Sequence, residues 1–180
     1  MISIRALESG DAEAFSSLRR RVAEESTVGL GLTLEEELAR PLDEFSAQLA
    51  LPLPNLVLGA FDGDVLVASA GLARPTARPS GVHKAVLWGV LTAPTHRRRS
   101  LARTLSAQAV AHAFATGAKN IYLYVYMPND AAVHLYESMG FVTTGVEPEV
   151  VNLGGVYHDI QSMCLRRTGL SLPLERTSAA

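Results

Sequence analysis

Two β-rich runs, residues 55–60 and 65–72, flank Asp62-Gly63-Asp64. A glycine in an acidic turn between two such runs is a strong hairpin signal. It commits this part of the chain to antiparallel pairing. Downstream the pattern changes. Residues 84–91 read as a strand, and residues 100–116 carry Leu101, Leu105, Ala109, Val110 and Ala113 at helical spacing up to Gly117. Residues 121–126 then read as another strand. A chain that holds both a hairpin and a strand–helix–strand unit predicts a mixed sheet with helices on both faces, in one α/β domain.

The flanking segments extend this pattern. Residues 2–7 suit a short opening strand, and residues 12–25 a helix introduced by Ser9-Gly10-Asp11. Thr33 and Glu36 have capping-box spacing, so a second helix is expected over 34–49, with a break at Pro41. Residues 26–32 and 73–81 read as loops. Residues 130–139 read as a short helix stopped by Gly140, followed by strands at 141–144 and 156–165. We expect one domain over 1–168 and a loose, polar, proline-containing tail over 169–180.

Composition narrows the function classes. With 48% hydrophobic and 19% charged residues among 180, the chain can bury a core. A formal net charge of -2 gives no basic excess, so nucleic acid is not expected as a partner. Cys164 is the only cysteine, which excludes an internal disulfide. No apolar run reaches the ~20 residues of a membrane helix, and no leader is visible. The expectation is a soluble, cytoplasmic protein. His83, His96, His112, His134 and His158 show no metal-ligand spacing, so no metal is expected.

Two stretches carry chemistry. The first follows a strand and opens a helix: Pro94-Thr95-His96-Arg97-Arg98-Arg99-Ser100-Leu101-Ala102-Arg103. The first turn of a helix has unpaired N–H groups and the positive end of the macrodipole. Arginines there are electrostatically misplaced unless an anion joins them, and small residues let that anion approach the backbone. A pyrophosphate would suit such a cradle, whereas the absence of interleaved aromatics argues against single-stranded nucleic acid. The second stretch is Asn129-Asp130-Ala131-Ala132-Val133-His134-Leu135-Tyr136-Glu137-Ser138-Met139-Gly140-Phe141.

The first stretch resembles the acetyl-CoA motif of the GNAT superfamily, R/Q-x-x-G-x-G/A, with Arg97, Ser100 and Ala102 at its fixed positions. The second resembles the family's N-x-x-A-x-x-L-Y-x-x-x-G-F at every fixed position. The resemblance implies a single-domain α/β fold with a mixed, mostly antiparallel sheet and helices on both faces. It implies an N-acetyltransferase that moves the acetyl group of acetyl-CoA to a primary amine, by direct attack in a ternary complex. The backbone of Arg97, Arg98, Arg99, Ser100, Leu101, Ala102 and Arg103 would hold the pyrophosphate. Residues 86–92 would splay from residues 121–126 to admit the pantetheine, with Gly89 in a bulge. A backbone N–H among Val90, Leu91 and Thr92 would polarise the acetyl carbonyl. Asn129 would cap its helix near the pantetheine, and Tyr136 would protonate the departing thiolate. Leu135 and Phe141 would be core.

Two departures accompany the resemblance. Ser100 stands where glycine is usual, at a cost of ~1–2 kcal/mol if the backbone there takes positive φ. Many relatives carry a glutamate on the strand that here offers Val86 and Trp88, which leaves Glu24, Glu25, His83 and Asp159 as titratable candidates for a base. The acceptor, a small molecule or a peptide, would bind between the first two helices, their loop and the last strands. Glu24, Glu25, Glu35, Glu36 and Glu37 could attract its positive charge, or simply form a solvated face. The alternative reading is a non-catalytic acyl-CoA-binding or regulatory module. Exposed strand edges would allow a homodimer.

Overall fold

A computed structural model describes residues 1–167. The tail expected at 169–180 lies outside the described residues. The elements are β1 (Ile2–Ala6), α1 (Ala12–Ala23), α2 (Leu34–Ala39), α3 (Leu42–Leu49), β2 (Leu56–Asp62), β3 (Val65–Ala73), β4 (Lys84–Thr92), α4 (Leu101–Ala115), β5 (Asn120–Tyr126), α5 (Asp130–Glu137), β6 (Val142–Leu153) and β7 (Val156–Arg166). The strands form one seven-stranded sheet in the order β1-β2-β3-β4-β5-β7-β6. Every neighbouring pair is antiparallel except β4 and β5.

Local chemistry accounts for most boundaries. Asp62 pairs with Val65 across Gly63-Asp64, and Gly63 takes φ +59, which glycine adopts without steric cost. Thr33 accepts from Glu36 N–H at 3.2 Å while the Glu36 carboxylate accepts from Thr33 N–H at 2.7 Å, closing the expected capping box. Pro41 separates α2 from α3, as a residue without an N–H must.

The sheet buries Leu66, Leu72, Leu87, Ile121, Leu123 and Met163 among its core residues. Helices α1 and α4 both pack on β3 and β4, from the two faces of the sheet. Phe15 of α1 meets Trp88 of β4 edge-on at 6.4 Å and Phe45 of α3 at 5.9 Å. The buried face of α4 is Leu101, Leu105, Ser106, Ala109 and Ala113. Arg74, at the end of β3, donates to the Ala113 and Thr116 carbonyls and so satisfies the C-terminal end of α4. Cys164 is buried, and that burial pushes its thiol above its ordinary value, as suits a packed rather than reactive cysteine.

Two expectations need correcting. The strand expected at 141–144 runs from Val142 to Leu153. It passes Gly145 and Pro148 by register shifts between Thr143 and Gly145 and between Glu147 and Val151. This strand is at the sheet edge and pairs with β7 alone, so bulges and a proline are tolerated there. Glu37, grouped above with the solvated acids, is fully buried at 0% exposure. Arg19 of α1 grips it in a bidentate pair, Nε to Oε1 at 2.7 Å and Nη2 to Oε2 at 2.7 Å. Arg40 stands 3.7 Å from the same carboxylate and stacks 4.3 Å above the Phe45 ring.

A buried ion pair gives little net stability, but removing one partner strands the other charge. Glu37→Leu should therefore destabilise the fold by about 3–5 kcal/mol in urea unfolding. The double variant Arg19→Leu/Glu37→Leu should recover most of that loss. Equal losses in both would show that the pair is not what secures α2.

Candidate functional site

The site begins where the sheet parts. Strands β4 and β5 pair in parallel only at Lys84–Asn120, Ala85–Ile121 and Val86–Tyr122. Beyond Val86, β4 continues to Thr92 with no β5 partner, while β5 is held on its other edge by β7 along its length. A bulge accompanies the separation. Between Trp88, opposite Gly71, and Leu91, opposite Ser69, β4 carries one extra residue. Gly89 takes φ +57 there, and the Ser69 hydroxyl donates to its carbonyl at 2.8 Å. Val90, Leu91 and Thr92 follow directly; Leu91 and Thr92 stay paired with β3, while the edge of this segment that faces β5 has no strand opposite. The Thr92 hydroxyl is itself buried without a protein partner.

From this edge the chain passes through Pro94–His96 into α4. Arg98 and Ser100 both take positive φ, at 61° and 59°. Ser100 is the residue before the helix and makes no side-chain cap. The contrast with α2 and α5 is informative, because Thr33 and Asn129 each accept from the first turn of their helices. The N–H groups that open α4, at Leu101, Ala102 and Arg103, lack such an acceptor and meet the positive end of a 15-residue helix. An uncapped helix N-terminus preceded by two left-handed residues has the kind of backbone that can take an anion.

The arginines divide. Arg98 and Arg99 are exposed beside this turn. Arg97 is paired with Glu25, just past the end of α1. Arg103 donates to the Ser138 hydroxyl, which itself donates to the Leu135 carbonyl at 2.5 Å. That contact ties the end of α5 to the first turn of α4. Tyr136 lies two residues before Ser138 and is buried, edge-on to Phe141 at 5.7 Å. Burial pushes its phenol well above the ordinary range. Asn129 caps α5 by accepting from Ala132 N–H at 3.2 Å.

The segment between α1 and α2 closes on the same end of the sheet. Gly31 has φ +65, and a Cβ there would stand 2.2 Å from the Tyr126 ring at the end of β5. A Cβ on Gly29 would come 3.8 Å from Asn129 Nδ2. Among the candidate bases, Asp159 accepts from Glu149 N–H at 2.9 Å through its carboxylate and from Met127 N–H at 2.9 Å through its backbone, beside this region. Glu24 is exposed at the end of α1. His83 lies before the start of β4, the opposite end from the bulge. His158 went unremarked among the candidates. Its Nδ1 lies 2.8 Å from the Met127 carbonyl, and only the pairing of β5 with β7 brings the two together. Among the described residues, no group of three or more His, Cys, Asp or Glu side chains is arranged to hold a metal, and no helix is long and apolar enough to cross a membrane.

Serine at φ 59 is strained relative to glycine by ~1–2 kcal/mol, partly offset by the greater freedom of glycine in the unfolded chain. Ser100→Gly should therefore raise thermal stability, by about 2–4 °C for a gain near 1 kcal/mol. A lowered Tm would mean that the hydroxyl is worth more than the strain.

Known proteins resemble this chain in sequence and in fold. The chain is 36% identical over 83 residues to a spermidine N(1)-acetyltransferase of Vibrio cholerae, covering 46% of this chain and 48% of that protein. It thus spans about half the length of that relative. It is 33% identical over 115 residues to the N-alpha-acetyltransferase RimI of Mycobacterium tuberculosis, covering 64% of this chain and 69% of the relative. The structure of yncA from Salmonella typhimurium with its cofactor acetyl-CoA superposes with a TM-score of 0.79 at 21% identity, covering 96% and 97% of the two chains. A GNAT-family acetyltransferase from Streptococcus pneumoniae gives 0.77 at 24% identity, covering 93% and 100%. These two likenesses establish a shared fold. The profile of the acetyltransferase (GNAT) family matches residues 20–141, more than half of the chain. The chain belongs to the GNAT acetyltransferase family.

Proposed function

We propose that this protein acetylates a primary amine with acetyl-CoA, by direct attack within a ternary complex. The observation that carries the reading is the parting of β4 from β5 after Val86, directly upstream of the uncapped N-terminus of α4. The cradle formed by Arg97, Arg98, Arg99, Ser100, Leu101, Ala102 and Arg103 would hold the pyrophosphate of the coenzyme. The freed edge at Val90, Leu91 and Thr92 would take the pantetheine arm and present N–H groups to the acetyl oxygen, where negative charge grows during attack. Bound acetyl-CoA supplies an acetyl group activated as a thioester.

The rest is the work of the chain. As the amine nitrogen bonds to the carbonyl carbon, the C–S bond breaks; the amine gives up one proton and the sulfur gains one. Tyr136 keeps its proton at neutral pH, because burial disfavours the phenolate. An alkyl thiol titrates near ~8.5, below even an ordinary phenol at ~10. Tyr136 therefore acts chiefly as a hydrogen-bond donor that stabilises the departing sulfur, while the net proton comes from the amine. The acceptor would enter beneath the segment between α1 and α2, which Gly31 presses against Tyr126 and Glu25 links to Arg97. The names of the two relatives suggest a polyamine and a peptide α-amine as the first acceptors to test.

The test is thiol release from acetyl-CoA across a panel of amines that includes spermidine and short peptides, alongside a thermal shift with coenzyme A alone. Release with one class supports the reading. A shift without release from any amine would favour an acyl-CoA-binding module, and neither would overturn the assignment. Tyr136→Phe should lower turnover by about 10²–10³-fold, the scale of one lost donor to developing charge, with little change in coenzyme A affinity. The raised phenol also fixes a sign: the active form is the protonated one, so activity should show no loss attributable to Tyr136 between pH 7 and the ordinary phenol range near ~10. An alkaline decline in that interval that disappears in Tyr136→Phe would contradict this.

A further inference from the structure

An amine that attacks a thioester must give up a proton, and the groups first considered as its acceptor are otherwise placed. Glu25 is paired with Arg97, and the Asp159 carboxylate accepts from Glu149 N–H. Glu24 is exposed at the end of α1. His83 precedes β4, at the far end of that strand from the bulge. Among the other histidines, His96 meets Asp62 through Nε2 at 3.3 Å.

His158 differs from all of these. It is half-buried on β7, with Nδ1 2.8 Å from the Met127 carbonyl. A carbonyl oxygen can only accept, so Nδ1 carries the ring proton and the neutral imidazole keeps its lone pair on Nε2. Among the described residues Nε2 has no hydrogen-bond partner, and it is not one of the buried side-chain atoms that lack one. It is therefore accessible from outside the protein, and the bond on the near nitrogen orients the ring around it.

Strand pairing sets the direction in which the ring points. Ile160 of β7 lies opposite Tyr126 of β5, and His158 is two residues further along β7. Side chains two apart on a strand share a face, as do those of paired residues, so His158 and Tyr126 lie on one face. The Tyr126 ring meets Gly31 there, in the segment between α1 and α2. This is the end of β5 at which β4 has parted from it.

We propose that His158 is the base that takes the proton of the attacking amine. The proposal rests on the acetyl-transfer reading and names a residue of the same site. As the C–N bond forms and the C–S bond breaks, the nitrogen becomes positively charged. His158 Nε2 accepts its proton, directly or through one water, and returns it to solvent, from which the sulfur is protonated. An imidazole oriented on one nitrogen and open on the other is how a base is held ready.

The test measures kcat and KM with spermidine and with a short peptide bearing a free α-amine, and coenzyme A affinity separately. In His158→Asn the amide N–H can still donate to the Met127 carbonyl, but no basic nitrogen remains. It should lower kcat by about 10²–10⁴-fold and leave coenzyme A affinity unchanged. His158→Ala should lose as much, and free imidazole should restore part of its kcat without raising that of the unaltered chain. Unchanged kcat in His158→Asn, or a rise in KM alone, would overturn the proposal. So would a loss in both variants that imidazole does not relieve, since that would leave His158 as a support for the end of β5. Circular dichroism confirms that each variant is folded, and either variant decides the matter if the other is not. If the unaltered chain releases no thiol with any amine, acetyl transfer falls and the role of His158 falls with it; normal turnover in His158→Asn overturns the second alone.

Discussion

Beyond Val86 the β5-facing edge of β4 carries backbone hydrogen-bonding groups with no strand opposite. A sheet interrupted in its middle is expensive, because such groups seek partners wherever water is excluded. The molecule keeps the interruption by fixing both sides of it. Strand β5 is held by seven residue pairs to β7, from Asn120 with Arg166 to Tyr126 with Ile160. Strand β4 is held by β3, and its bulge at Gly89 is pinned by the Ser69 hydroxyl. Neither strand is free to slide over and close the gap.

The helices then make the gap useful. One face of the sheet carries α4, whose uncapped N-terminus opens just past the parted edge. The other carries α1 and α3, joined through Phe15, Phe45 and Trp88, with Glu37 of α2 locked to Arg19 beneath them. The loop leaving α1 reaches back across the mouth, through Glu25 to Arg97 and Gly31 to Tyr126. The uncapped start of α4, the open edge of β4 and the loop leaving α1 thus share a single end of the sheet.

How much of this the sequence discloses depends on the range of the interaction. The hairpin at Asp62-Gly63-Asp64, the Thr33–Glu36 box and the break at Pro41 are local, and all were legible. So was the N-cap at Asn129, because a cap is read from adjacent residues. The full length of β6 was hidden, since an edge strand exposed on both faces shows no alternation and Gly145 and Pro148 imitate a loop. The burial of Glu37 was hidden as well, because its partner lies 18 residues away on another helix. The bulge at Gly89 was suggested by its glycine, but the position of Asp159 and His158 beside Met127 depends on strand pairing that no local pattern encodes.

The strained turn before α4 shows the same division. The motif spacing singled out Ser100, whereas the positive φ of Arg98 carried no mark in the sequence. Both follow once an N-terminus is shaped around something other than its own side chains.

The most direct test of the parted sheet as the coenzyme site is an amide NMR titration with coenzyme A. The account predicts that the largest shifts fall on the N–H groups of Val90, Leu91 and Thr92 and on those from Ser100 to Arg103. Shifts confined to other parts of the sheet, with these amides unmoved at saturation, would contradict it.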